Sequence, residues 1–111
     1  MELRAEIDPG VCGYPTAVTA RTEDGRHVEF DFECDCDLIQ ALAEKVAALG
    51  PVDAIQALSP DENPVLAEAR AVLQSAGCCE ACIVPQGAVK AMYIITGLAL
   101  PRNVSMKLRD E

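Results

Sequence analysis

The sequence has no tryptophan, two tyrosines and two phenylalanines, so its core has to be built from Ala, Val, Leu and Ile. It has a single histidine, His27, on the polar side of an alternating segment beside a turn. The nucleophile–His–acid arrangement of hydrolases would depend on that one badly placed residue. Bases are scarce: nine Lys and Arg stand against eighteen Asp and Glu, for a formal charge of −9. Such an excess repels phosphate and excludes nucleic acid and anionic membrane surfaces as partners. Long apolar runs are missing too. The longest, residues 88–100, is interrupted by Lys90, Thr96 and Gly97 and falls short of the roughly 20 residues a bilayer span needs. No phosphate-binding glycine loop is present, because Gly10-Val11-Cys12-Gly13 is too short and precedes a strand rather than a helix. The opening residues 1–6 lack the basic start and apolar run of an export signal, which gives a cytoplasmic expectation.

What is present fits one globular domain spanning residues 1–111, half of it hydrophobic and 24% charged. Six cysteines in a reducing compartment point to metal or redox chemistry before a disulfide framework.

Residues 2–8 alternate, with Leu3, Ala5 and Ile7 on one side and Glu2, Arg4, Glu6 and Asp8 on the other, the period of a half-buried strand. Residues 14–22 predict a second strand, Glu23-Asp24-Gly25 a turn, and residues 27–34 a third strand with Val28, Phe30, Phe32 and Cys34 on its inner face. The period changes at Cys36. Leu38, Ile39, Leu42, Val46 and Leu49 then recur at helical spacing, with Asp35 or Asp37 as cap or first-turn acid. Residues 52–58 fit no single pattern. Ser59-Pro60-Asp61-Glu62 and Asn63-Pro64 offer two starts for a helix over 65–75 closed by Gly77. A third helix is predicted from Pro85 to about Ala99, stopped by Pro101, and Val104, Met106 and Leu108 alternate as a final strand. The order β-β-β-α-α-α-β indicates an α+β fold: a mostly antiparallel sheet of about four strands with about three helices on one face.

The cysteines fall at junctions between these elements. Cys12 lies between the first two strands, Cys34 and Cys36 where the third strand meets the first helix, and Cys78, Cys79 and Cys82 ahead of the third helix. Cys36 and Cys82 both approach helix N-termini, where free N–H groups and the helix dipole favour thiolate, the form that Zn²⁺ and iron–sulfur clusters bind. Cys79-Glu80-Ala81-Cys82 is a CxxC, whose two sulfurs can reach one metal. Cys12, Cys36 and Cys82 therefore read as a shared site with Cys79 as fourth ligand, and Cys34 and Cys78 read as small buried hydrophobes. Lys90 is either a surface lysine with a buried stem or a cation near the cysteines.

Cys12-Gly13, Cys36, and Cys82 followed by Ala88-Val89-Lys90-Ala91 resemble the motifs of the IscU/NifU-type iron–sulfur scaffold proteins. The resemblance implies that fold and three cysteines holding a nascent cluster or a zinc ion. Tyr14 replaces that family's aspartate and Ala81 its usual histidine, which leaves thiolates as the shared donors. A closer likeness, carried by Gly10-Val11-Cys12-Gly13, Cys36-Asp37-Leu38-Ile39, Cys82-Ile83-Val84-Pro85 and Gly97-Leu98-Ala99-Leu100-Pro101, is to small uncharacterised bacterial and archaeal proteins known as a domain of unknown function. That likeness names no reaction.

The expectation is a small metal-binding protein without catalytic turnover. Zinc or an iron–sulfur cluster would sit at Cys12, Cys36, Cys82 and Cys79, and the protein would act as scaffold, carrier or structural metal protein. Its partner would be a metal or cluster donor or acceptor protein. The alternatives are a thiol redox protein using Cys79 and Cys82, or an interaction module with inert cysteines that works through a homodimer interface or an acidic face.

Overall fold

Alternation makes the first three strands. The computed structural model describes residues 1–10, 12–76 and 82–110. In β1 (Glu2–Ile7), Leu3, Ala5 and Ile7 are half-buried while Glu2, Arg4 and Glu6 face solvent. β2 (Thr16–Thr22) runs back along it with Ile7 opposite Thr16 and Leu3 opposite Ala20. β3 (His27–Glu33) continues the meander, with Ala17 opposite Glu33 and Thr22 opposite Val28. Its inner positions Val28 and Phe30 are buried, as the period of two requires.

The fourth strand is not the one the sequence predicts. β4 (Val52–Asp53) pairs with the start of β3, placing Asp53 opposite His27, and the sheet order is β1-β2-β3-β4, antiparallel throughout. Two residues are too few to display a period, which is why residues 52–58 fit no pattern. Residues 98–110 form neither strand nor helix, and Val104, Met106 and Leu108 stand exposed.

Three helices cover one face of the sheet. α1 (Asp37–Ala48) lies against β3, α3 (Val84–Ile95) against β1 and β2, and α2 (Pro64–Ala76) packs on α1 and α3. Val18, Val28, Leu42, Val65, Val84 and Met92 are fully buried between them, an aliphatic core as the composition demands. The class is therefore α+β, with β4 inserted between α1 and α2. Among the described residues no helix is long and apolar enough to cross a membrane.

At α1 the second of the two expected roles is filled. Cys36, not Asp35 or Asp37, occupies the cap position and makes no side-chain capping bond, while Asp37 is the first-turn acid. At α2 the second of the two starts is used. Asn63 Oδ1 accepts the Leu66 N–H at 3.1 Å, and Pro64 is the first helical residue. Asn63 is buried, and its Nδ2 donates at 3.1 Å to the Ala57 carbonyl, which also accepts the Tyr93 hydroxyl at 2.7 Å. That shared carbonyl ties the start of α2 to α3. The Gly77 stop lies outside the described residues. α3 ends at Ile95, short of Ala99, because Gly97 takes a left-handed φ of 79° and the N–H groups of Leu98 and Ala99 both donate to the Tyr93 carbonyl.

At Gly87, α3 lies directly against the Ile7 side chain. A methyl group there would run into the end of the Ile7 side chain and lie 3.1 Å from its Cγ1. Gly87→Ala is expected to cost on the order of 1 kcal/mol net, with overpacking outweighing the gain in helix propensity. Ile7→Val removes the colliding Cδ1, so in that background Gly87→Ala should be neutral or stabilising in urea titrations. An unchanged penalty would show that Ile7 does not set the spacing.

At the β4 end, Arg26 clamps Asp53 with Nε at 3.0 Å and Nη2 at 2.8 Å. This guanidinium, helped by the backbone N–H groups of Gln56 and Ile55, holds the Asp53 carboxyl down at about 2. Unfolded Asp titrates near roughly 3.9. The pair's stabilisation is therefore complete above that value and is lost as pH falls from about 4 through 2. Asp53→Asn should lower the melting temperature at neutral pH and flatten its fall across that acid window.

Candidate functional site

The register of the meander puts three junctions at one end of the sheet. Ile7 faces Thr16 and Ala17 faces Glu33, so the β1–β2 loop and the exit of β3 are neighbours. Gly87, in the first turns of α3, sits over Ile7 and brings the start of that helix to the same end. Cys12, Cys34, Cys36 and Cys82 are thereby drawn together as free thiols, Cys12 exposed and the other three half-buried.

Cys12 is held in a tight turn. The Asp8 carboxylate accepts the Gly10 N–H at 3.0 Å, and the Gly13 N–H donates to the Gly10 carbonyl at 3.0 Å. Gly10 and Gly13 have φ of 85° and 72°, a conformation glycine adopts without strain. Cys34 is the best-connected thiol. Its Sγ lies 2.9 Å from the Thr16 hydroxyl, 3.8 Å from the Tyr14 carbonyl and 3.4 Å from the Cys36 N–H, which donates to it. Gln40 Nε2 donates to its carbonyl at 2.9 Å. The Thr16 hydroxyl, which also lies 3.0 Å from the Tyr14 carbonyl, carries one proton. It can donate to a Cys34 thiolate, or to the carbonyl while a Cys34 thiol donates to it. The network thus serves either protonation state.

Cys82 reports the convergence. Burial pushes its thiol up; the Val84 N–H at the start of α3 pulls it back, and negative charge on Cys12, Cys36 and Cys34 pushes it up again. The helix N-terminus therefore does not win at Cys82, contrary to the sequence expectation of a lowered thiol, because desolvation of the sulfur exceeds the help of one N–H. Among the described residues, no three Cys, His, Asp or Glu side chains stand close enough as placed to grip one ion. Beside Cys82, a groove of about 250 Å³ runs between α2 and α3, lined by Leu66, Arg70, Leu73, Pro85 and Gln86.

The structure sets Cys12, Cys36 and Cys82 at the same end of the sheet, but not at the spacing of donors to one ion. It adds Cys34, which the sequence reading set aside as a buried hydrophobe. Strand alternation gave Cys34 an inward face, but only the hairpin register puts Thr16 beside it. Cys78 and Cys79 lie outside the described residues. Lys90 is half-buried on α3. His27 lies at the opposite end of the sheet, its Nδ1 2.6 Å from Asp24 Oδ2 in the β2–β3 turn, so it is a surface residue as expected. A wider concavity of about 460 Å³ also lies at that end, lined by Arg21, Asp24, His27, Glu29 and Pro51 among others. It holds no thiol.

Fold and site together define a small α+β protein with a cluster of thiols at one end of its sheet. The chain belongs to the family of unknown function DUF6951, which matches residues 3–108. Neither a curated protein nor a solved structure matches it.

Thr16 is buried and its hydroxyl serves both Cys34 and the Tyr14 carbonyl. Thr16→Val, which keeps the shape and removes the hydroxyl, should cost about 1 kcal/mol in denaturant titrations under reducing conditions. Thr16→Ser should recover most of the polar part of that loss.

Proposed function

We propose that Cys12, Cys36 and Cys82, with Cys34 or Cys79 as fourth donor, form a thiolate site for a soft metal, either zinc or an iron–sulfur cluster. The protein stores, scaffolds or relays that metal and performs no turnover. The observation that carries this reading is the convergence of four thiols from three separate junctions at one end of the sheet.

The donor set fits such a metal. Sulfur-only ligation selects zinc, Cu(I) and iron–sulfur clusters over harder ions. Thiols must lose their protons to bind a cation, so binding would release protons. Coordination requires a small closure of the site, since the described donors do not stand close enough to share one ion. The groove beside Cys82 gives a donor or acceptor protein a place to approach the metal. The resemblance to iron–sulfur scaffold proteins belongs to this same reading.

The test is elemental analysis with an absorption spectrum on untagged protein purified without oxygen. Iron with sulfide and visible absorbance, or stoichiometric colourless zinc, would support the reading. Cys12→Ala, Cys36→Ala and Cys82→Ala should then each abolish binding, while Cys78→Ala should leave it intact. Protein with six reactive thiols that takes up neither zinc nor a reconstituted cluster would overturn it.

A further inference from the structure

Independently of the thiols, we propose that residues 104–109 of one copy of this chain add as a strand to the open edge of β1 in a second copy, the two copies exchanging these segments symmetrically. β1 is the end strand of the sheet and pairs only with β2 among the described residues. Its backbone groups along the outer edge are a template for another strand. The same chain carries a segment made to fit it. Val104, Met106 and Leu108 recur at period two and are 71%, 72% and 88% exposed, so nothing in their own chain covers them. Isolated exposed apolar residues are common, but three at strand spacing make one apolar face.

Charge favours the match and selects its direction. Residues 102–109 carry Arg102, Lys107 and Arg109 and no acid, in a chain of formal charge −9. The solvent side of β1 and the residue after it carries Glu2, Glu6 and Asp8 with Arg4. Laid parallel, Val104 stands beside Leu3, Met106 beside Ala5 and Leu108 beside Ile7, the longest apolar side chain of the segment against the smallest of β1. On the other face Lys107 then meets Glu6, Arg109 meets Asp8, and Arg4 meets only Ser105. The one antiparallel arrangement that keeps all three apolar pairs, with Leu108 beside Leu3, sets Lys107 against Arg4. Opposite charges across neighbouring strands stabilise, and like charges there destabilise. Parallel addition satisfies both faces at once. The segment leaves α3 past the Gly97 cap and Pro101 and is held clear of its own sheet, which leaves each edge to the other copy. Exchange of one element between two copies closes as a two-fold dimer, so it ends with no free edge on β1.

Sedimentation equilibrium of the full chain should show a dimer. Met106→Asp should make it monomeric with its helical circular dichroism signal kept, since Met106 is exposed and contributes nothing to the core of a single copy. Glu6→Lys and Lys107→Glu should each weaken dimerisation by about ten-fold, as two like-charged pairs replace two opposite ones. The deciding arm mixes those two variants. In the heterodimer the lysine introduced at position 6 of one chain meets the glutamate introduced at position 107 of the other, and the native pair reforms on the second edge. Affinity should therefore return to the wild-type value. A wild-type chain that stays monomeric at every concentration overturns the proposal. So does a failure of the mixture to recover, including the case in which the segment is protected from proteolysis within a monomer, because that would place it on its own edge.

Discussion

The seat of α3 on β1 and β2 is the contact on which the thiol end of the molecule depends. Helix and sheet meet where a glycine lets the backbone of α3 come down on Ile7. Because Ile7 is the last residue of β1, this contact fixes not only the distance between the layers but the point along the sheet at which α3 begins. Cys82 precedes that point by a few residues. The meander register does the rest, since it places the β1–β2 loop and the exit of β3 at the same end. Tyr93, further along α3, ties its helix to the Ala57 carbonyl that Asn63 also holds, so α2 and α3 are anchored through one acceptor. A small aliphatic core allows this close layering, where large aromatic side chains would have held the helices further off.

The two ends of the sheet are built with different chemistry. At one, the β2–β3 turn and β4 are held by ions: Asp24 accepts the N–H groups of Arg26 and His27, and Arg26 grips Asp53. These carboxylates sit well below the usual range and their stabilising interactions are complete at neutral pH. Such a cluster is structural, because each charge there already has a partner. At the other end, three of the thiols are half-buried, and the polar contacts of Cys34 are weak sulfur hydrogen bonds with the Thr16 hydroxyl, the Tyr14 carbonyl and the Cys36 N–H.

Much of the fold was legible because it is written in periods. β1, β2 and β3 announce themselves by alternation, and α1 and α2 by the spacing of Ile39, Leu42 and Val46 and by the Asn63-Pro64 start. What escaped has a short or non-local cause. β4 is two residues long and exists because β3 offers it an edge. α3 stops at Gly97 through the hydrogen bonds of Leu98 and Ala99 to Tyr93, overriding an apolar pattern that runs on to Ala99. Residues 104–109 alternate as a strand should, yet have no strand beside them within one copy. Alternation records which face is apolar, not which edge receives it.

The cysteines divide the same way. Their places at junctions were determined by the sequence alone, since a junction is a change of period and Cys12, Cys36 and Cys82 each mark one. That these junctions coincide in space was decided by tertiary structure, through antiparallel register and the approach of α3 to Ile7. The inclusion of Cys34 was decided there too, because its neighbour Thr16 is eighteen residues away in the chain and adjacent only across the sheet. The direction of the shift at Cys82 followed from the same source. A helix start can be read from sequence, whereas the loss of water around a sulfur depends on what the fold packs against it.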